Sequence, residues 1–599
     1  MITTNDIHQH FADFFKEDKI RPYAYLVSKR LQEGHICIDT SEMEHIADEI
    51  PFSRIFPAKN LPLLSTVIST DTEQILPFVL HNNRLYLHRY FTYETNILKS
   101  IERLLKQGAG RQIERQDTLL KHNNLLHSFA ANYDLLNATE QEKTDWQMVA
   151  VIQSIMYDFS MITGGPGTGK TTTVAKILSV LFSIQPNASV ALAAPTGKAA
   201  MRMAESLKQS VLPVDASVSE KLKSLTPNTI HRLLGYIPNS VNFKHNQSNP
   251  LPFDVVIVDE ASMIDVAVFS KLLDAIGPNT RVILLGDKNQ LASVEAGSLF
   301  GDLCNASGAA NSFTTVISEF IHHFIPDVNR QIPIGNIIPQ RHILAGHIVE
   351  LQKSHRFRSD SGIGKFSQAI IHNEVNELLD FVKVVSQNSV HIYPSDNKAI
   401  FENFIKDYAA YIQEPDIAYA LKKLNQLRVL CAVREGPQGV YKVNKDIERF
   451  LQQRGLLQIS GDFYENRPII ITKNYPDLNL FNGDIGLLRK DENGNLRTWF
   501  EDSNKNIRSV MPGYLANAET VFAMTVHKSQ GSEYANVLVL LPENYGAQLL
   551  TRELLYTAIT RAKENIVLLA SEDLLLMSAK ASVKRISGIL NRFDEIQVK

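Results

Sequence analysis

An α/β architecture built on two parallel sheets is the fold class this 599-residue sequence predicts, and three observations predict it. Short apolar runs alternate with helix-favouring ones from about residue 140 to 300 and again from about 355 to the end. Each run is continuous rather than alternating, the pattern of strands covered on both faces. The stretch Thr163-Gly164-Gly165-Pro166-Gly167-Thr168-Gly169-Lys170-Thr171-Thr172-Thr173 joins one such run to a helical one, giving the strand–loop–helix order of a phosphate-cradling unit.

Taken in chain order, residues 1–120 mix helical runs (Asp6–Phe15, Tyr23–Gln32, Asn96–Lys106) with strand-like pieces (His35–Ile38, Arg84–Tyr86) and hold no catalytic signature. The polar stretch Gly108–Asn124 reads as a linker or as a solvated helix face. Residues 140–350 form the first sheet domain, with strands at Phe159–Ile162, Val190–Ala194, Val255–Val258 and Val282–Leu285 and a helix over Lys170–Phe182. The Asn-, Ser- and Pro-rich segment Leu234–Pro252 reads as a protruding β-hairpin. Residues 305–350 hold an apolar, His-containing helical stretch and an Ile/Pro-rich one, to which no role is assigned. Residues 351–599 form the second sheet domain, with strands at Val390–Tyr393, Val429–Val433, Val537–Leu541 and Ile566–Ala570. Inside it, 455–518 is rich in short β runs and turns such as Asn482-Gly483-Asp484, as in a small inserted barrel.

Composition narrows the class of partner. Net charge is −3, so any polyanion site must be a local groove rather than a global property. The three cysteines, Cys37, Cys304 and Cys431, are too far apart for metal-ligand spacing and fit a reducing compartment. The first residues, Met1 to Asp6, lack a basic region followed by an apolar one. No apolar run reaches the ~18 residues a bilayer span needs, so a cytoplasmic protein with no membrane association is expected.

The glycines of the 163–173 stretch let backbone N–H groups turn toward an anion, and the following helix N-terminus adds partial positive charge. Lys170 is expected to reach the β- and γ-phosphates of ATP, and the Thr171 hydroxyl to ligate Mg²⁺. Val255-Val256-Ile257-Val258 ends in Asp259-Glu260. Asp259 would hold Mg²⁺, directly or through water, and Glu260 would orient or deprotonate the attacking water. A further strand ends in Gly286-Asp287-Lys288-Asn289-Gln290. Gln290 is placed either to touch the γ-phosphate or simply to close a Gly-Asp turn. Arg356 and Arg561 lie far downstream. If both reach the nucleotide, they supply transition-state charge and the nucleotide lies between two sheets.

Together these segments form an ordered set. They are Gln147, the phosphate loop, Ala194-Pro195-Thr196-Gly197-Lys198, Thr229-Ile230-His231-Arg232, Asp259-Glu260, Gly286–Gln290, Ser354-His355-Arg356-Phe357, Thr525-Val526-His527-Lys528-Ser529-Gln530-Gly531-Ser532-Glu533, and Arg561. The set resembles superfamily 1 helicases of the 5′→3′ branch. Within that branch it most resembles the RecD family, the alpha subunits of exodeoxyribonuclease V. Chain length and the segments Arg434–Val440 and Leu480–Gly486 favour that family, as does a short front domain without helix-hairpin-helix repeats.

The resemblance implies two RecA-like domains, a mixed N-terminal docking domain and an SH3-like barrel insertion. It implies that Gln147 reads the adenine edge, that Gly164, Gly165, Pro166, Gly167, Thr168, Gly169, Lys170, Thr171 and Thr172 cradle the phosphates, and that Glu533 meets the ribose. Thr196, Thr229, His231, Thr525 and His527 are implied contacts to single-stranded DNA. RecB-like and RecC-like partner subunits are implied, with the nuclease in a partner, because no nuclease carboxylate cluster is visible in this sequence. A stand-alone or relaxase-type helicase shares the motor chemistry, and a nucleotide-dependent switch shares only the ATP site.

Overall fold

The computed structural model describes residues 6–41, 65–130 and 143–597, apart from 294, 298, 307, 309, 339–341, 358–361, 384–388, 503–504, 544–545, 547–548 and 584. Most of the N-terminal leader reading, Met1 to Asn5, and residues 42–64 of the front domain lie outside the described residues.

The front domain carries four short strands: β1 (Cys37–Asp39), β2 (Ile68–Ser69), β3 (Phe78–His81) and β4 (Arg84–Leu87), ordered β1-β4-β3-β2. Phe15, Tyr23, Leu26 and Phe78 fill its core. The helix His88–Ala109 leaves this sheet with its apolar stripe turned inward, as an amphipathic repeat requires. It sets Ile97, Ile101 and Leu104 into the core beneath the first parallel sheet.

That sheet is wholly parallel. Its strands are β5 (Phe159–Gly164), β6 (Val190–Ala194), β7 (Asn228–Thr229), β8 (Val255–Val258), β9 (Arg281–Gly286) and β10 (Ile348–Leu351), ordered β10-β5-β9-β8-β6-β7. The continuous apolar runs are buried along nearly their whole length because helices cover both faces. Residues 305–350, which carried no assignment, have a structural role. They supply the helix Thr315–His322 and then β10, which closes the sheet edge beside β5.

The second parallel sheet contains β11 (Val390–Tyr393), β12 (Leu427–Cys431), β18 (Ala523–Thr525), β19 (Tyr534–Leu540) and β20 (Ala562–Leu569), ordered β11-β20-β19-β12-β18. Between β12 and β18 the chain builds an antiparallel sheet of β13 (Pro468–Ile471), β14 (Ile485–Lys490), β15 (Leu496–Glu501), β16 (Ile507–Val510) and β17 (Ala518–Thr520), ordered β16-β15-β14-β13-β17. Ile471, Leu480, Leu488 and Phe500 form its separate core. Among the described residues no helix is long and apolar enough to cross a membrane.

Three sequence expectations are decided or corrected. Gly108–Asn124 follows the second of its two readings, a largely solvated helix face and not a linker: the helix Gln112–Lys121 occupies it, with only Leu119 buried, and Arg111 and Arg115 both pair with the buried Asp158 just before β5. Leu234–Pro252 holds two isolated antiparallel bridges, Tyr236 with Phe243 and Asn246 with Asn249, rather than a strand ladder. Pro238 lacks a donor and Asn239 sits at φ 58°, so regular pairing cannot extend there.

The third concerns the C-terminus. The last helix, Ile589–Gln597, leaves the second sheet domain and packs against the front and first sheet domains. Ile36 N donates to Ile586 O (2.9 Å), and Gly588 N donates to Glu94 Oε1 (3.0 Å). Arg592 pairs with Glu94 at 3.4 Å. Burial pushes the Glu94 carboxyl up, and Arg592 opposes that rise. Arg592→Ala leaves this buried carboxylate without its counter-charge, with Gly588 N still donating to it, and is expected to cost about 3–5 kcal/mol of stability in urea unfolding. A loss under about 1 kcal/mol would mean that the pair is effectively solvated.

Candidate active site

The first sheet brings three functional segments to one edge. β5 runs into the loop Gly165–Gly169, β8 into Asp259-Glu260 and β9 into Asp287–Gln290, and β5 and β8 both flank β9. Loops at the carboxyl ends of adjacent parallel strands converge, which is where such sheets bind ligands. Gly167 and Gly169 have φ of 81° and 85°, a backbone that a side chain strains. A methyl group at Gly167 would also collide with Arg356, and one at Gly169 with Gln147.

The loop is held from both lobes. Gln147 Nε2 donates to Thr168 O (3.1 Å), and Lys176 Nζ donates to Gln147 Oε1 (3.0 Å). His355 N donates to Gly167 O (2.8 Å), and Ser354 Oγ donates to Pro166 O (3.3 Å). Lys170 Nζ donates to Gly164 O (2.7 Å) and Gly165 O (3.3 Å), so the ammonium lies inside the loop's own curve.

A cleft of about 960 Å³ opens above the loop. Gln147, Pro166, Gly167, Gly169, Lys170, Thr171, Thr172, Asp259, Glu260, Gln290, Arg356, Glu533 and Arg561 all line it. Gly164, Gly165 and Thr168 form the loop behind that lining. Asp259 Oδ1 accepts from Glu260 N (2.8 Å). Its carboxyl is pushed up to about 6 by burial and the Glu260 charge, with Lys170 opposing. Glu260 holds a left-handed φ of 53°, and its Oε2 is buried with no protein partner. A strained non-glycine backbone and an orphan oxygen at one residue mark a polar group aimed at something other than the fold. Gln290 Oε1 is also buried and unpartnered.

Arg561 is buried, its Nε donating to Thr557 O (3.0 Å) and its Nη1 to Ser532 O (3.2 Å). Glu533 pairs with Arg356 (2.8 Å), Lys563 (3.4 Å) and Arg202 (3.5 Å). Burial alone would raise the Glu533 carboxyl, but Arg202, Arg356, Lys563 and Arg561 outweigh it and hold the group down at about 2. Because that lies below the ordinary glutamate value of 4.5, its contribution is full above pH 4.5 and drains away toward pH 2. Glu533→Gln is therefore expected to cost about 3 kcal/mol at neutral pH, with the deficit shrinking below pH 4.5. Urea unfolding across pH measures this, and a deficit independent of pH contradicts it. Arg202, Lys176 and Lys563 are cleft residues that sequence reasoning missed. Lys563 stands two positions after Arg561, a spacing that offered a signal; Arg202 and Lys176 offered none.

A second cleft, about 360 Å³, lies between the lobes. Thr196, His231 and His527 line it together with Lys198, Asn482, Lys528 and Gln530. Thr229 and Thr525 stand outside its lining. Their hydroxyls accept from Arg232 N and Lys528 N, both at 3.3 Å, capping the short turns that follow. Thr196 Oγ1 likewise accepts from Ala199 N (3.2 Å). Phe481 of the antiparallel insertion packs on Gly197 and under the Arg232 guanidinium (4.4 Å), so the insertion bridges back to the first lobe.

Family models match in the same places: an AAA domain over residues 147–296 and a UvrD-like helicase C-terminal domain over 520–569. Two parallel sheets meeting over one phosphate loop, with these matches, define a superfamily 1 helicase core. The RecBCD enzyme subunit RecD of Haemophilus influenzae is 34% identical over 559 residues, covering 87% of this chain and 82% of that one. The corresponding subunit of Mycolicibacterium smegmatis is 31% identical, covering 95% and 92%. The ATP-dependent RecD2 DNA helicase of Deinococcus radiodurans is 29% identical over 67% of this chain but only 46% of its own length. The chain belongs to the RecD family.

Proposed function

We propose that this chain is the RecD-type motor of a RecBCD enzyme, an ATP-dependent 5′→3′ translocase and helicase on single-stranded DNA. One observation carries the reading: Arg356 and Arg561, from the downstream part of the chain, line the same cleft as Lys170. A ligand in that cleft touches both lobes, so binding and losing it changes how they sit.

The residues fit ATP and Mg²⁺. The loop amides and Lys170 would take the phosphates, Gln147 the adenine edge, and Thr171 and Asp259 the metal, which would supply charge neutralisation on the phosphates. Glu260, with its free oxygen, would orient or deprotonate the attacking water. Gln290 would read the γ-phosphate. Arg561 is already fixed by main-chain carbonyls, whereas Arg356 pairs with Glu533 through Nη2 and keeps a buried Nη1 with no protein partner, the atom it would offer to the phosphate; Glu533 would meet the ribose.

DNA would occupy the second cleft, meeting Thr196, His231 and His527, with Thr229 and Thr525 acting through the turns they cap. Such contacts go to phosphate and sugar and carry little sequence preference. Residues 455–518 are proposed as the SH3-like insertion and 234–252 as the bridged loop flanking the strand. Residues 1–120 are proposed as the docking domain toward RecB-like and RecC-like subunits, in the cytoplasm, with the nuclease in a partner. Steady-state ATPase with and without oligothymidylate tests the motor. Strong stimulation that falls with salt is expected; equal rates with and without DNA would favour a nucleotide switch.

A further inference from the structure

Three arginines gather at the amino-terminal edge of the first sheet, opposite the nucleotide cleft. Arg281 opens β9, flanked by Asp158, which precedes β5, and Asp254, which precedes β8. Arg115 belongs to the helix Gln112–Lys121, and Arg111 is the residue before it. Both carboxylates are already taken up. Asp158 accepts from Arg111 Nη2 and from Arg115 Nη2 (2.6 Å). Asp254 Oδ2 accepts from Ser189 N and Ser189 Oγ, both at 2.7 Å.

Arg281 is only 5% exposed, and its Nε and Nη1 are buried with no protein partner. Arg111 Nε is a third buried nitrogen of this kind. Burial, with Arg115 and Arg111 nearby, pulls the Arg281 guanidinium down to about 9, while Asp158 and Asp254 oppose the fall. A buried cation is costly unless something accepts from it, and the fold itself supplies no acceptor for these three nitrogens.

Two cavities meet at the cluster. Arg111, Arg115 and Arg281 line an inner one of about 150 Å³, together with the apolar Ile155, Leu181 and Ile184. Glu114 also lines it but is exposed, so water screens its charge. An outer cavity of about 410 Å³ shares Arg115 and Arg281 and adds Asn187 and Asn279. A planar carboxylate is occupied by two guanidinium groups, as Asp158 shows. A tetrahedral oxyanion has acceptor oxygens left for a third, and guanidinium forks match it.

We infer that this cluster is a binding site for a phosphate-class oxyanion, free or as a small phosphomonoester, which takes the donors of Arg281 and Arg111 and fastens the helix Gln112–Lys121 to the base of the first sheet. The oxygens occupy the inner cavity. The ester group of a monoester extends into the outer one, past Asn187 and Asn279. Arg281 comes from the sheet and Arg111 from the approach to the helix, so one anion ties the two elements together. The site is separate from the nucleotide cleft and does not depend on the motor reading.

The test follows amide hydrogen exchange in the full-length chain, with inorganic phosphate as the first probe. Exchange across Gln112–Lys121 is expected to slow by about tenfold at saturating phosphate, in wild type and equally in Lys170→Gln, which alters the phosphate loop instead. Arg281→Met replaces a poorly satisfied buried cation with an apolar chain and is expected to fold and to lose the phosphate effect. Arg281→Lys keeps the charge without the fork and is expected to need about tenfold more phosphate for the same protection; it decides the matter if Arg281→Met does not fold. Ribose 5-phosphate is the second probe. Protection at a lower concentration than phosphate requires marks the ester as the ligand, an equal or higher concentration marks the free ion, and either result supports the site.

Unchanged exchange in wild type overturns the inference. So does a wild-type response in Arg281→Met or Arg281→Lys, which marks a bulk salt effect. Slowing that disappears in Lys170→Gln places the anion in the nucleotide cleft and overturns it too. Equal slowing by acetate at matched ionic strength overturns the ligand class, because the site then takes a carboxylate such as a partner protein's side chain.

Discussion

Lys170→Gln lowers the ATP hydrolysis rate by roughly 10³-fold, about 4 kcal/mol of barrier, with little change in thermal stability. The Lys170 ammonium donates to two carbonyls at the phosphate loop. Glutamine keeps a donor at similar reach and removes the charge, so the loss isolates phosphate charge stabilisation from loop packing. The buried strand Phe159–Gly164 and the helix Lys170–Ile184 bury their apolar side chains elsewhere, which is why the fold should survive. DNA-stimulated and basal rates should fall together, because the lysine acts on the chemistry common to both. A variant retaining more than about a tenth of the wild-type rate contradicts the role given to Lys170.

Arg561→Lys is expected to cost on the order of 10³-fold in kcat while changing KM for ATP by only a few-fold. Arg561 is pinned by Thr557 O and Ser532 O at 3.0 and 3.2 Å, so its guanidinium is oriented before any ligand arrives. Lysine preserves charge but cannot make both bonds and still present a planar donor to a transferring phosphoryl group. An effect confined to KM would mean that Arg561 binds ground-state ATP and does not act on the transition state.

The motor core was legible because its signals are local. A phosphate loop needs glycine where φ is positive, and Gly167 and Gly169 stand at those positions. Buried parallel strands need continuous apolar runs, and Val190–Ala194 and Val255–Val258 fall where the runs do. The edge strands β10 and β18 were missed because neither holds a full apolar run: Glu350 interrupts Ile348–Leu351, and Ala523–Thr525 is three residues long and ends on a polar one. The C-terminal return was missed for a different reason: Ile586, Gly588 and Arg592 meet partners such as Glu94 about 500 residues away, and no spacing encodes that contact. In the site, catalytic candidates lay inside motifs, whereas Arg202 sits on an ordinary helix and reaches Glu533 only through the meeting of the two lobes. The threonines divided on the same principle. A hydroxyl before a helix reads equally as a ligand contact or as a cap: Thr196, Thr229 and Thr525 each accept from a backbone amide that follows, and of the three only Thr196 lines the second cleft.

The most direct test of the central claim, that one nucleotide joins two lobes and so drives motion along a strand, is unwinding of duplexes carrying either a 5′ or a 3′ single-stranded tail, with the chain alone and with its co-purified partners. Hydrolysis-dependent unwinding or stepping that starts from the 5′ tail and disappears with Lys170→Gln is predicted. Hydrolysis with no directional movement on either tail, or movement that requires the 3′ tail and persists in Lys170→Gln, would contradict it.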